Sequence, residues 1–234
     1  MSYANPVTRP GRLNLRAVAA RLPALMAGLV LFGFGVALMV EAGYGLGPWE
    51  ALNQGVARQT GQEIGTISIL LGIPILALWW PLGERPGIGT LLNVLTIGTA
   101  TNVGIALLPT PPDDATVLRL SAMAAGVAVI AVGSAIYLAT DLGPGPRDGL
   151  MTGAARRFGW SIRRARTAIE LTVLLIGWAL GGSVGIGTVV FALGIGLLLQ
   201  RALVVFDRDG RVGRRRQAVN TSASTAMARN NSDR

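Results

Sequence analysis

Apolar residues along this chain collect into six long runs, separated by short stretches rich in glycine, proline and arginine. The runs cover residues 22–40, 64–80, 88–108, 117–139, 162–180 and 186–205. Most approach the ~20 residues that a helix needs to cross bilayer hydrocarbon. The second is short and contains Pro74, which predicts a kink or support from neighbouring helices. Two intervening stretches have a pattern of their own: GLGPWEALNQGVARQTG at residues 45–61 and GPGPRDGLMTGAARRFG at residues 143–159. In each, Gly-x-Gly-Pro is followed by an acid two residues later, and the stretch ends on glycine. Proline suits a first helical position, an acid suits the positive end of a helix dipole, and glycine suits a helix stop. Each stretch therefore predicts a helix of about a dozen residues, ~18 Å long and too short to span the membrane. Two placements fit it, a re-entrant half-helix or an amphipathic helix at the interface.

The two stretches stand 98 residues apart, and that register extends well beyond them. Gly45, Gly47 and Pro48 match Gly143, Gly145 and Pro146. GIGT at residues 87–90, with Gly89 and Thr90, recurs at residues 185–188, with Gly187 and Thr188. Gly28 and Gly35 match Gly126 and Gly133 without a gap. The register predicts an internal duplication. Each copy holds three long runs, an odd number, so the second enters the membrane from the opposite side. The predicted fold class is an all-α polytopic membrane protein of six transmembrane helices. They form two inverted three-helix repeats, each with a short Gly-Pro-led half-helix. The expected division is a cytoplasmic amino-terminal segment (1–21), membrane repeat 1 (22–108), membrane repeat 2 (117–206) and a disordered, arginine-rich cytoplasmic tail (207–234).

Composition agrees with a lipid-bilayer environment: 51% of residues are hydrophobic, 14% are charged and the mean hydropathy is +0.51. The net charge of +9 is carried without lysine. Arg9, Arg12, Arg16 and Arg21 precede the first run and place the amino terminus in the cytoplasm. The connection at 140–161, the start of the fifth run and the tail bring most of the other arginines to the same side, and only Arg58 and Arg119 fall on or near the outer one. Trp49, Gln59, Gly65, Thr66 and Ser68 of the first copy become Arg147, Arg157, Arg163, Arg164 and Arg166 of the second. That reads as one template recharged for its side of the membrane. A sequence pI near 11.5 also describes nucleic-acid binders. Here the arginines flank apolar runs, and no nucleic-acid partner is expected. Trp79, Trp80, Trp160 and Trp178 read as interfacial anchors. Cysteine and histidine are absent, which excludes disulfides, thiol chemistry and zinc sites of the usual ligands. Neither glycine-rich stretch completes a nucleotide fingerprint. No metal or cofactor is expected, and with no nucleophile–base pair in view no enzyme is expected either.

Polar residues near or inside the runs supply the candidate ligand or ion-coupling set. Glu170 lies within the fifth run, where an acid costs ~2.5–3.5 kcal/mol on insertion scales, and Arg166 four residues earlier is its natural partner. Its equivalent in the first copy is Gly72. Glu50 and Asp148 at the half-helix starts are candidate cation or proton sites. Asn53 and Asn93 complete the set, Asn93 sharing a helical face with Thr90 and Thr96. The two GIGT segments and Gly177-x-x-x-Gly181 read as close helix contacts.

GLGPWEAL, GPGPRDGL, the IRRAR segment leading into Glu170 and the two GIGT stretches together resemble the YczE/YitT-like family of bacterial integral membrane proteins. The resemblance implies a multi-pass protein of the inner membrane and brings no substrate or catalytic residue with it. The expected function is that of a secondary transporter or permease for a small solute, with the broken helices lining its cavity. The alternative is a non-transporting scaffold or regulator whose arginine-rich tail meets anionic lipid or a cytoplasmic partner.

Overall fold

Each apolar run folds into a helix, most of them ended or entered by glycine or proline. The structure, a computed structural model, describes residues 15–207 and residue 210. Among these, eight α-helices follow in order: α1 (Leu15–Ala42), α2 (Pro48–Thr60), α3 (Ile64–Leu82), α4 (Ile88–Leu107), α5 (Thr116–Ala139), α6 (Pro146–Phe158), α7 (Ile162–Ala179) and α8 (Ile186–Phe206). The Gly-Pro stretches are the 13-residue helices α2 and α6. Both start on proline and both end on a left-handed glycine, Gly61 or Gly159, whose N–H returns to the carbonyl of Ala57 or Ala155. α1 begins at Leu15, ahead of its apolar run, because Arg16 and Arg21 are good helix formers and continue its first turns. α3 runs through Pro74 as one helix. The arginine-rich tail lies outside the described residues, as do Arg9 and Arg12.

Five helices, α1, α3, α4, α5 and α8, are long and apolar enough to cross a membrane. α7 falls short of that measure for a simple reason. Its 18 residues include Arg163, Arg164, Arg166 and Glu170, all in its first half.

The centre of the molecule is the antiparallel pair α1–α5. Their backbones come close enough at four glycines that a methyl group on any of them would strike the opposite helix. A Cβ on Gly28 would sit 2.8 Å from the Gly133 carbonyl oxygen, and one on Gly126 2.8 Å from that of Gly35. Small residues at such crossings let dispersion contacts form along the whole interface. α4 packs on the far side of α1, and α8 on α5. α2 packs on α7 and α3, while α6 packs on α3 and α7.

The same 98-residue shift runs through the backbone. Left-handed φ angles occur at Gly43 and Asp141, Gly45 and Gly143, Gly61 and Gly159, and Gly83 and Gly181. Asp141, at 52°, is the non-glycine member, and aspartate is among the few residues that tolerate this region. Long-range contacts exchange under the shift as well. Gly28 on Gly133 becomes Gly126 on Gly35. Arg21 donates to the Thr140 carbonyl at 3.4 Å, and Arg119 donates to that of Ala42 at 2.9 Å. Arg58 donates to the carbonyl of Gly181, and its equivalent Arg156 to that of Leu82, one residue off the shift. Arg119 and Arg58, the two exceptions to the charge pattern, are thus tied to carbonyls at helix C-terminal ends, where a cation is favoured.

Candidate functional site

α2 and α6 meet at their proline-led ends and open onto a cavity of about 1300 Å³. Each end is held by the half of the chain to which it does not belong. At α6, Trp79 Nε1 donates to the Pro146 carbonyl at 3.0 Å and Thr90 Oγ1 to that of Pro144 at 2.8 Å. The Gly89 N–H donates to Leu142 at 2.9 Å. At α2, the Gly187 N–H donates to the Tyr44 carbonyl at 2.8 Å and the Leu46 N–H to that of Ser183 at 3.0 Å. Gly87 and Gly185 each donate to the Thr hydroxyl three residues on, Thr90 and Thr188, at 3.1 and 3.2 Å. The GIGT segments therefore grip the loops that enter α2 and α6. That corrects their reading as helix-to-helix contacts. Gly177 keeps its expected role and packs on the α2 backbone, where a Cβ would lie 2.7 Å from Leu52 Cα.

Gly47 and Gly145 cap the two short helices without any side-chain hydrogen bond. The acids three residues on fold back over those ends. Glu50 Oε2 comes within 2.7 Å of where a Cβ on Gly47 would be, and Asp148 Oδ2 within 3.1 Å of the same point on Gly145. From there the two acids diverge. Glu50 is buried, 4% exposed, and its Oε1 takes Arg147 Nη1 at 2.5 Å across the helix junction. The Arg147 guanidinium also lies 5.2 Å from the centre of the Trp49 ring, at cation–π distance. Asp148 is exposed to the cavity, and among the described residues its one side-chain hydrogen bond comes from Tyr137 Oη at 3.4 Å. Asn53 and Asn93 are buried in the same wall. Trp49 Nε1 is, among the described residues, the buried side-chain polar atom without a hydrogen-bond partner.

All six candidates drawn from the sequence, Glu50, Asp148, Asn53, Asn93, Arg166 and Glu170, line this one cavity. Arg166 Nε bonds Glu170 Oε1 at 2.9 Å, the expected i,i+4 pair on α7. Pro48, Gly145 and Pro146 also reach the wall. Gly45, Gly47, Gly143, Gly89, Thr90, Gly187 and Thr188 shape the frame behind it.

Sequence reasoning missed Arg147, Trp49 and Tyr137. The change from Trp49 to Arg147 was visible at the 98-residue offset, but it read as a marker of sidedness. Arg147 instead faces the cavity, stacked on the residue it replaces in the register. Trp79 is likewise no interfacial anchor: it is 1% exposed and holds α6, whereas Trp80, at 90%, is free of the core.

The cavity is flanked by two helix pairs in equivalent positions, α3–α4 and α7–α8. α3 and α4 are sealed. The Gly65 N–H donates to Asn102 Oδ1 at 2.6 Å, and Asn102 Nδ2 donates to Thr66 Oγ1 at 3.1 Å and to Glu63. Gly72 admits Val94, and Gly98 admits Ile69. α7 and α8 form no packed interface, and a Cβ on Gly196 would meet nothing within 4 Å. In place of Gly65, Thr66, Gly72 and Asn102, this pair carries Arg163, Arg164, Glu170 and Gln200.

Comparison with known proteins places these features in a family. The model of a family of unknown function, DUF6198, matches residues 19–202. An uncharacterized protein of Haemophilus influenzae is 41% identical over 184 residues, covering 79% of this chain and 84% of that protein. The uncharacterized membrane protein YczE of Bacillus subtilis is 34% identical over 180 residues, covering 76% and 82%. YyaS, an uncharacterized protein of the same bacterium, is 26% identical over 186 residues, covering 77% and 91%. No solved structure matches the chain. With its apolar helices and this extent of shared sequence, the chain belongs to the DUF6198 family and is a YczE-like multi-pass membrane protein.

Proposed function

We propose that this protein is a secondary transporter of a small solute, built from two inverted repeats. α1, α3 and α4 form the first set of spans and α5, α7 and α8 the second, with α2 and α6 as half-helices whose starts meet inside the bilayer. The antiparallel α1–α5 pair and the contacts that exchange under the 98-residue shift support the inverted relation. Counting α7 as a sixth span requires its charged first turns to face the cavity and the membrane surface, which suits Arg166 and Glu170. With the amino terminus in the cytoplasm of a bacterial inner membrane, the start of α7 and the arginines around it lie on the cytoplasmic side. The parted pair then opens the cavity inward.

One observation carries this reading. Two equivalent helix pairs border the same cavity in different arrangements, one sealed and one apart. In an inverted-repeat transporter the outward-open state is reached when the two halves exchange arrangements. α7 and α8 then close, and α3 and α4 separate.

The test uses the absence of native cysteine. Spin-label pairs at Ala77 with Leu95, and at Leu175 with Leu193, occupy equivalent positions on the two helix pairs. In lipid nanodiscs, across a panel of solutes, distances between the labels should shift reciprocally for a transported solute, and the same solute should move into proteoliposomes. Fixed distances at both pairs, with no flux of any solute, would remove the proposal.

A further inference from the structure

We infer that the cavity takes an organic cation and that Asp148 is its counter-charge. The inference deepens the reading of the cavity as a solute site. It does not depend on whether the solute crosses the membrane.

Three charged groups sit where α2 and α6 meet: Glu50, Arg147 and Asp148. Two carboxylates and one guanidinium leave a single negative charge, and the geometry assigns it. Arg147 is committed to Glu50 at 2.5 Å and to the Trp49 face. Asp148 forms no ion pair among the described residues and keeps a single 3.4 Å hydrogen bond from a neutral phenol. A carboxylate without an ion-pair partner, facing a cavity, is an acceptor for a charge-assisted hydrogen bond from a cationic ligand.

The opposite polarity fits less well. Helix starts attract anions, but here each start is already covered by its own acid. An anionic ligand would have to displace Glu50 from Arg147 and approach Asp148 besides. Of the arginines nearer the rim, Arg156 and Arg166 are paired with Glu84 and Glu170, and Arg85 and Arg157 are exposed, Arg157 lying ~13 Å further along α6 than Asp148, where solvent and salt screen its charge.

The remaining wall describes the rest of the ligand. A divalent metal ion takes several oxygen ligands, often more than one of them carboxylate, and Asp148 offers one. Among the described residues no group of three acids or other metal-binding side chains gathers. Tyr137 touches the carboxylate, and Phe191, Ile97, Ile130 and Ile195 line the same cavity. Aromatic faces and aliphatic walls suit a protonated amine or quaternary onium with an apolar body. The volume, about 1300 Å³, exceeds the ~300–1,000 Å³ of common ligand pockets and leaves room for a bulky one.

Two ions of matched shape and opposite charge, tetraphenylphosphonium and tetraphenylborate, test the assignment on the full chain in detergent. Saturable binding of the phosphonium is expected, with none of the borate. Asp148→Asn should weaken phosphonium binding about tenfold or more, and Asp148→Glu should restore most of it. Borate binding as tight as phosphonium binding, or unchanged phosphonium binding by a correctly folded Asp148→Asn, would overturn the inference. If Asp148→Asn does not fold, the two ions on the unmodified chain and on Asp148→Glu still decide. Flux in proteoliposomes separates the two claims. Phosphonium that binds but never crosses counts against transport and leaves the cation site standing. Transport confined to the borate sinks the cation site and leaves transport standing.

Discussion

The sealed pair α3–α4 and the parted pair α7–α8 are built at equivalent positions, yet their polar residues do different things. In the first, Asn102 bonds to Gly65, Thr66 and Glu63, so polarity closes the seam. In the second, the same positions carry arginine, glutamate and glutamine, and α8 rests chiefly on α5. The half-helices repeat the contrast. Glu50 is buried and paired, while Asp148 is open and unpaired. The two regions keep their glycine and proline positions under the 98-residue shift, while a few side chains at matching positions differ.

Breaking the locked ion pair should have a large effect. Glu50→Ala leaves the partly exposed Arg147 without its partner and should cost about 1.5–3 kcal/mol, as for a hydrogen bond to a charged group. Asp148→Ala should cost under about 1 kcal/mol, because Asp148 gives up one weak hydrogen bond. Denaturant unfolding in micelles measures both, and equal losses would erase the distinction between the two acids.

Overpacking tests the seams next. Gly98→Val forces a side chain onto the Gly65 carbonyl and onto Ile69, where a Cβ alone would come within 2.6 Å of Cγ1, and should cost about 1–3 kcal/mol or more. Gly196→Val enters open space and should leave stability nearly unchanged. Under the transport proposal it should still slow flux by obstructing closure of α7 on α8. A smaller effect is expected for Asn102→Ala, about 1–2 kcal/mol for its lost hydrogen bonds, against almost none for Gln200→Ala. The smallest belongs to the α7 pair. Arg166 is half exposed, and Arg166→Ala should change stability by about 0.5 kcal/mol or less. A large loss there would mean that α7 is held by its charges and not by α2.

Much of this architecture was legible in the residues. Apolar runs locate six of the eight described helices, and proline starts with glycine stops locate the two short ones, because these signals act over a few turns of local backbone. The cavity wall was half legible. Glu170, Glu50 and Asp148 stand out as acids in apolar surroundings, and all three line it. Arg147 did not stand out, since a sidedness rule explains any arginine near a membrane equally well. Its partner lies 97 residues away in sequence. Trp79 was misread for a similar reason: a tryptophan at the end of an apolar run resembles an anchor until the helix packed on it is known. α7 shows the limit in the other direction. The run looked long enough to span, while its four charged residues keep it off a purely apolar criterion.

The crossed grip of the GIGT segments bears on how the protein is made. The carbonyls of Tyr44 and Leu142 are each satisfied by an amide from the other half, Gly187 and Gly89. Neither half completes its own entry loop, so α1 to α4 emerge from the ribosome with acceptors that wait for helices not yet translated. Biogenesis is thereby tied to the whole chain. Two fragments divided within 109–116 should survive when co-expressed, and each should be degraded when made alone.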